Sequence, residues 1–205
     1  MLYAIKIADV SGSQPLRDIH RKEHLDYLKT FDDQTIFAGP FLTEDCQTEL
    51  GSMRFLDFPD RAAAVKHVSD EPFLVHGVQK GYTLHRIRPV VSNTWRDCPR
   101  KEGNLQFFIH ALDKPGTSET RQELRDAHLA FFKEHEDVFM YRAPLVADED
   151  ETQQIGSVYL LDMPDAEAAK ALWASEPYNN AGIYETANLY GWRFGRVFDR
   201  FKVAI

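Results

Sequence analysis

Gly51-Ser52-Met53-Arg54-Phe55-Leu56-Asp57-Phe58-Pro59-Asp60 returns as Gly156-Ser157-Val158-Tyr159-Leu160-Leu161-Asp162-Met163-Pro164-Asp165. The echo runs outward from this stretch. Arg17, Arg21, His24, Leu25 and Asp33 reappear as Arg121, Arg125, His128, Leu129 and Asp137, and Glu71-Pro72-Phe73 with Gly77 reappears as Glu176-Pro177-Tyr178 with Gly182. A period this long marks a duplicated domain, since solenoid units run only ~20–50 residues. Residues kept in both copies are thereby compared once, inside one molecule.

Each copy reads β-α-β-β-α-β. The first opens on an apolar strand, Leu2 to Ala8, which ends at Asp9. Its helix runs from Leu16 to Phe31 with Leu25, Leu28 and Phe31 at helical spacing. A short strand, Thr35 to Ala38, is expected to stop at Gly39-Pro40. An alternating strand follows from Gly51 to Phe58, and Pro59-Asp60 opens an alanine-rich helix, its aspartate suited to the N-terminal dipole. The last strand is expected at Leu84 to Val90. The second copy repeats the series with strands at Leu105 to Leu112, Val138 to Tyr141, Gly156 to Met163 and Asn188 to Val197. Its first helix spans Ser118 to Glu134. The polar stretch Val91 to Asn104 reads as a linker, giving expected domains at 1–92 and 103–205. The fold class is α+β, two ferredoxin-like units.

Composition narrows the function. Of 205 residues, 43% are hydrophobic and 27% charged, an ordinary balance for a globular chain. A net charge of −8 argues against nucleic acid as a partner. No apolar run approaches the ~20 residues of a membrane helix. The opening Met1-Leu2-Tyr3-Ala4-Ile5-Lys6 lacks a signal-peptide layout, so a cytoplasmic address and no membrane partner are expected. The two cysteines, Cys46 and Cys98, are not repeat equivalents and have no finger spacing, which speaks against a disulfide framework or structural zinc. His-Glu-x-x-His and the dinucleotide and phosphate-loop glycine motifs are missing, so neither metal nor organic cofactor is expected.

Arg17, Arg21, His24 and Leu28 fall at i, i+4, i+7 and i+11, one stripe along a helix. Arg121, Arg125, His128 and Phe132 repeat it. Such a stripe suits a small organic anion: arginine grips a carboxylate, and a neutral histidine takes a proton near pH 7. It is equally the pattern of a solvated basic face with histidine used for packing. Asp33 and Asp137 follow each histidine by nine residues and are either its partners or turn residues. Ser52 and Ser157 begin strands after glycine, where they could bind substrate or serve the turn.

These motifs together resemble the YCII-related domain. Its pattern appears as Arg21-Lys22-Glu23-His24-Leu25, Ala38-Gly39-Pro40, Gly51-Ser52 and Glu71-Pro72-Phe73 with Gly77. It appears again as Arg125-Asp126-Ala127-His128-Leu129, Arg142-Ala143-Pro144, Gly156-Ser157 and Glu176-Pro177-Tyr178 with Gly182. The acid before proline is glutamate where the family pattern has aspartate. The resemblance implies an intrachain pseudo-dimer of the dimeric α/β-barrel type, with sheets face to face and further association of pseudo-dimers allowed. It also implies catalysis by His24 with Glu71 and by His128 with Glu176. Substrate binding would then fall to Arg17, Arg21 and Ser52 in one copy and Arg121, Arg125 and Ser157 in the other. A cofactor-independent lyase or isomerase acting on a small anionic compound is the implied function. A non-catalytic small-molecule binder or assembly module is the alternative, because one fold hosts many roles.

Overall fold

The computed structural model describes residues 1–201; the last four residues of the expected second domain lie outside them. The first copy contains β1 (Leu2–Asp9), α1 (Gln14–Lys29), β2 (Thr35–Leu42), β3 (Glu49–Asp57), α2 (Arg61–Ser69), α3 (Pro72–Val75) and β4 (Gln79–Ile87). The second contains β5 (Leu105–Asp113), α4 (Ser118–Glu123), α5 (Arg125–Glu134), β6 (Phe139–Val146), β7 (Gln154–Met163), α6 (Ala166–Ser175), α7 (Pro177–Asn180) and β8 (Tyr184–Trp192). In each copy the first strand is central to an antiparallel sheet. β1 pairs with β3 and β4, as β5 pairs with β7 and β8.

The two sheets do more than face each other. Their edges join at two short seams, Phe41↔Trp192 with Leu42↔Gly191, and Arg86↔Val146 with Ile87↔Leu145. The result is a closed eight-stranded barrel of order β1-β3-β2-β8-β5-β7-β6-β4. Closure removes the edge strands that each half alone would expose.

Strand alternation divides the apolar residues between two environments. Tyr3, Ile5 and Ile7 of β1 pack outward with Ala64 and Val68 of α2, while Ala4 faces a core shared by both copies. Across that core Phe37 meets Tyr141 at 5.3 Å and Phe55 meets Tyr141 at 4.9 Å between ring centroids. Gly51 and Gly156 recur because their strands cross closely there: a Cβ would sit 2.2 Å from the Ile7 or Ala111 carbonyl oxygen. Asp60 and Asp165 cap α2 and α6, each accepting a 2.8 Å bond from the backbone N–H three residues on.

Four expectations need correction. The helix expected from Ser118 to Glu134 is divided at Leu124, whose φ of −90° and ψ of 1° end α4. β2 and β6 do not stop at their prolines but run to Leu42 and Val146. Pro40 is tolerated because β8 joins β2 only from Phe41, so the proline has a strand neighbour on one side alone. The last strands end earlier than expected, at Ile87 and Trp192, which frees the segments after them for another use. The linker, finally, is packed: Trp95 is buried, its backbone N–H donates to the Ile36 carbonyl (2.9 Å), and its ring stacks on Phe198.

Candidate functional site

α1 and α3 bring one histidine–carboxylate pair together in the first copy. His24 Nδ1 hydrogen-bonds Glu71 Oε1, and the imidazole lies flat on Phe73 with centroids 3.9 Å apart. Glu71, wholly buried, occupies the position before α3, so the helix start fixes both the acid and its aromatic neighbour. Its second oxygen lies 3.6 Å from Arg54, which is buried and contacts His67 Nε2 at 3.2 Å. Burial alone would raise the Glu71 pKa, but Arg54 and the His24 bond outweigh it and hold it at about 2. The His24 pKa is lowered, chiefly by burial, with Arg54 and Arg17 adding to the effect. The stable form is therefore a neutral imidazole donating Nδ1–H to an ionised Glu71, which leaves Nε2 as the basic nitrogen.

The second copy rebuilds the same pair. His128 Nδ1 bonds Glu176 Oε1 at 2.6 Å, and its ring stacks on Tyr178 at 3.8 Å. Glu176 Oε2 accepts the Asn179 N–H at 2.8 Å. Here the surroundings diverge. Repeat alignment puts Tyr159 where Arg54 stands and Leu172 where His67 stands. No guanidinium forms an ion pair with Glu176 among the described residues.

The remaining sequence candidates separate into two groups. Arg17 and Arg121, expected to grip substrate, are held by acids instead. Arg17 reaches both Asp9 oxygens at 2.8 and 2.7 Å and Glu49 at 2.7 Å, and Arg121 bonds Asp113 at 2.7 and 2.6 Å. Both guanidinium groups also lie over the aromatic platform, Phe73 or Tyr178. They fix that platform and have little capacity left for a ligand. Ser52 and Ser157 are buried; the first takes a 2.9 Å bond from Gln79 and the second a 3.3 Å bond from Gln154. Arg21 reaches the cleft but pairs with Asp18 at 2.7 Å, whereas Arg125 forms no ion pair among the described residues. Asp33 is exposed and Asp137 pairs with Lys101 at 2.6 Å, so neither meets its histidine.

Each histidine opens onto a cleft walled partly by the other copy. Val90, beyond β4, donates to the Arg142 carbonyl (3.3 Å), and its equivalent Gly195, beyond β8, donates to the Ala38 carbonyl (2.9 Å). Gly39 allows the second crossing, since a Cβ there would lie 2.0 Å from the Arg193 oxygen. The clefts differ in size and charge. The first, about 30 Å³, is narrowed by Arg193 to Val197, and Arg193 is itself paired with Glu49. The second, about 300 Å³, is lined by Arg88, Arg125 and Arg142, none in an ion pair with a side-chain carboxylate among the described residues. Arg142 lies 4.5 Å over the Phe132 ring. The sequence candidates omitted Arg54, Arg88 and Arg142: Arg54 and Arg142 are not repeated, their equivalents being Tyr159 and Ala38, and Arg88, though repeated as Arg193, lies outside the quoted motifs. An arginine inside an otherwise apolar strand was the available signal for Arg54.

Comparison with known proteins agrees with this architecture. The model of the YCII-related domain matches the chain twice, at residues 1–88 and 105–193. An uncharacterised protein of Haemophilus influenzae is 33% identical over 86 residues, covering 39% of this chain and 88% of the relative. A chlorite dismutase from Candidatus Nitrospira defluvii, solved with imidazole, is 9% identical with a TM-score of 0.60, covering 98% of this chain and 94% of its own. A 5-chloro-2-hydroxyhydroquinone dehydrochlorinase from Burkholderia phenoliruptrix, solved with 2,5-dihydroxybenzoquinone, is 20% identical with a TM-score of 0.42. It covers 45% of this chain and 97% of its own. At such identities the likeness to solved structures is one of fold. No helix among the described residues is long and apolar enough to cross a membrane.

Proposed function

This chain belongs to the YCII-related family, whose domain it carries twice, and from that premise we propose that it is a cofactor-independent lyase or isomerase working in the second cleft on a small organic anion. One observation carries the choice of cleft: both copies keep the His–Glu pair, but among the described residues the second cleft is lined by three arginines in no ion pair, Arg88, Arg125 and Arg142, where the first has one, Arg196, on the segment that narrows it. Arg125 and Arg142 hold the anionic group of the substrate, and Phe132 and Tyr178 flank its apolar part. Glu176 accepts the Nδ1–H of His128 and so aims the Nε2 lone pair at a C–H next to that group. The proton passes to Nε2 and the C–H electron pair becomes a conjugated carbanion, stabilised by the guanidinium groups. Return of the proton to another carbon is an isomerisation. Expulsion of a leaving group with its bonding pair, and release of the proton to solvent, is an elimination. Both need only a proton shuttle.

The test is turnover on a panel of small unsaturated carboxylates and halogenated phenolates. His128→Ala should lower kcat by ~10²–10⁴-fold, the usual contribution of a general base, while ligand affinity measured calorimetrically stays within a few-fold. The Glu176→Gln change should add little to it in the double variant, as for residues acting as a unit. Full activity in the His24→Ala/His128→Ala double variant would rule the mechanism out. Binding with no turnover of any compound, unaltered by either histidine change, would favour a non-catalytic small-molecule binder.

A further inference from the structure

Outside both clefts, the first copy gathers three metal-ligating side chains on its outer surface. His20 and Glu23 are one turn apart on α1, and His76 caps the end of α3. His76 Nε2 lies 2.9 Å from Glu23 Oε2, His20 Nδ1 lies 3.6 Å from the same oxygen, and all three ligand atoms fall within 4.8 Å of one another. The two imidazoles stack at 3.7 Å between centroids. None of the three lines either cleft.

We propose that His20, Glu23 and His76 form a binding site for a divalent transition cation of the zinc class. Two imidazoles and one carboxylate are a borderline-soft donor set that suits zinc, nickel or copper better than calcium or magnesium. Donors sharing one tetrahedral zinc at ~2.0–2.2 Å from the ion stand roughly 3.3 Å apart. The donor atoms are already near that spacing, and the exposure of Glu23 and His76 leaves their side chains free to rotate so that the stack opens and both imidazole lone pairs point at one ion. Three protein donors leave a fourth position for water.

The duplication supplies an internal control. The equivalent positions in the second copy are Leu124, Ala127 and Ala181, so the fold itself requires no polar group at any of the three. His20 lies one turn before His24, and His76 follows Glu71 on the same short helix and turn. A bound ion would thus clamp together the two elements that carry the first copy's His–Glu pair. The sequence alone shows just the His20-x-x-Glu23 half, because the third donor is 53 residues from Glu23.

The full chain should be titrated with Zn²⁺ by calorimetry, and with Co²⁺ while its visible d–d absorption is followed. Saturable uptake of one equivalent is expected. His76→Ala or His20→Ala should weaken it by more than the ~10–100-fold that loss of an outer-shell partner costs, and Glu23→Gln should alter the Co²⁺ spectrum. His135→Ala, which removes a histidine elsewhere, should bind as wild type does. Absence of saturable binding by the wild type, or wild-type affinity in both His20→Ala and His76→Ala, would overturn the site. The readout is independent of turnover, so its failure leaves the proposed chemistry in the second cleft untouched.

Discussion

The first copy surrounds its histidine–glutamate pair with a buried ion network, whereas the second surrounds the same pair with aromatic rings and unpaired arginines. In the first, Arg54 sits against Glu71 and His67, Arg17 against Asp9 and Glu49, and Arg193 against Glu49. Among the described residues, all the arginines of that cleft but Arg196 are paired with acids, and the segment after β8 narrows the cleft. In the second, Tyr159, Leu172 and Gln154 replace Arg54, His67 and Glu49, and the cleft is much larger. Duplication frees one copy to become scaffold while the other keeps room for a ligand, and the shared barrel makes each half a wall of the other's site.

The largest effect should come from separating the halves. Residues 1–92 and 103–205 expressed alone would each expose two unpaired sheet edges and the aromatic core they now share. Aggregated, poorly folded or self-dimerised products are expected by size-exclusion chromatography and circular dichroism. Two stable monomers would break the comparison at its base.

Arg54→Ala should be next. Removing one partner of a buried ion pair typically costs about 3–5 kcal/mol, and here it also strands Glu71. The matching change in the second copy, Tyr159→Phe, loses only a 3.4 Å hydroxyl contact with Tyr184, so about 1 kcal/mol or less is expected. Urea denaturation of both variants measures the difference, and equal losses would deny that the first copy is the scaffold.

Arg142→Ala should raise KM about tenfold with kcat nearly unchanged, the size of one lost charge-assisted contact. Arg21→Ala in the first copy should leave both constants as they are, since Arg21 is already paired with Asp18. Steady-state kinetics on one substrate distinguishes the two.

A further contrast concerns pH. Burial, with Arg54 beside it, holds His67 at about 3 against an ordinary 6.5. The unfolded chain therefore takes up a proton, as pH falls from about 6.5 towards 3, that the native state refuses, and stability drops through that window. Glu71, depressed to about 2, adds stability that is present above its ordinary 4.5 and lost as pH falls towards 2. His67→Leu, the residue found at Leu172, should flatten the upper part of the profile without abolishing it, because burial also holds His110 at about 3. An unchanged urea midpoint profile between pH 6.5 and 4 would contradict the assignment.

The sequence alone determined much of this protein: the repeat gave two copies and the β-α-β-β-α-β order, and the resemblance of its motifs to the YCII-related pattern pointed to the family and to His24 with Glu71 and His128 with Glu176. These were legible because local periodicity and repetition act along the chain, and because the platform residues Phe73 and Tyr178 travel with their acids in a short motif. What the sequence left open was decided by contacts between residues far apart. Asp33 and Asp137 follow the histidines by only nine residues, far closer in sequence than Glu71 and Glu176, yet the helix end turns them towards solvent. Arg17 and Arg121 kept the spacing of ligand-binding residues, but the ends of β1 and β5 deliver Asp9 and Asp113 to them. Arg54, and the third donor beside His20 and Glu23, acquire their meaning when the first copy folds, and Arg88 and Arg142 only when the barrel closes. Burial and the pairing of charge are properties of that closed assembly, and no single stretch of chain contains them.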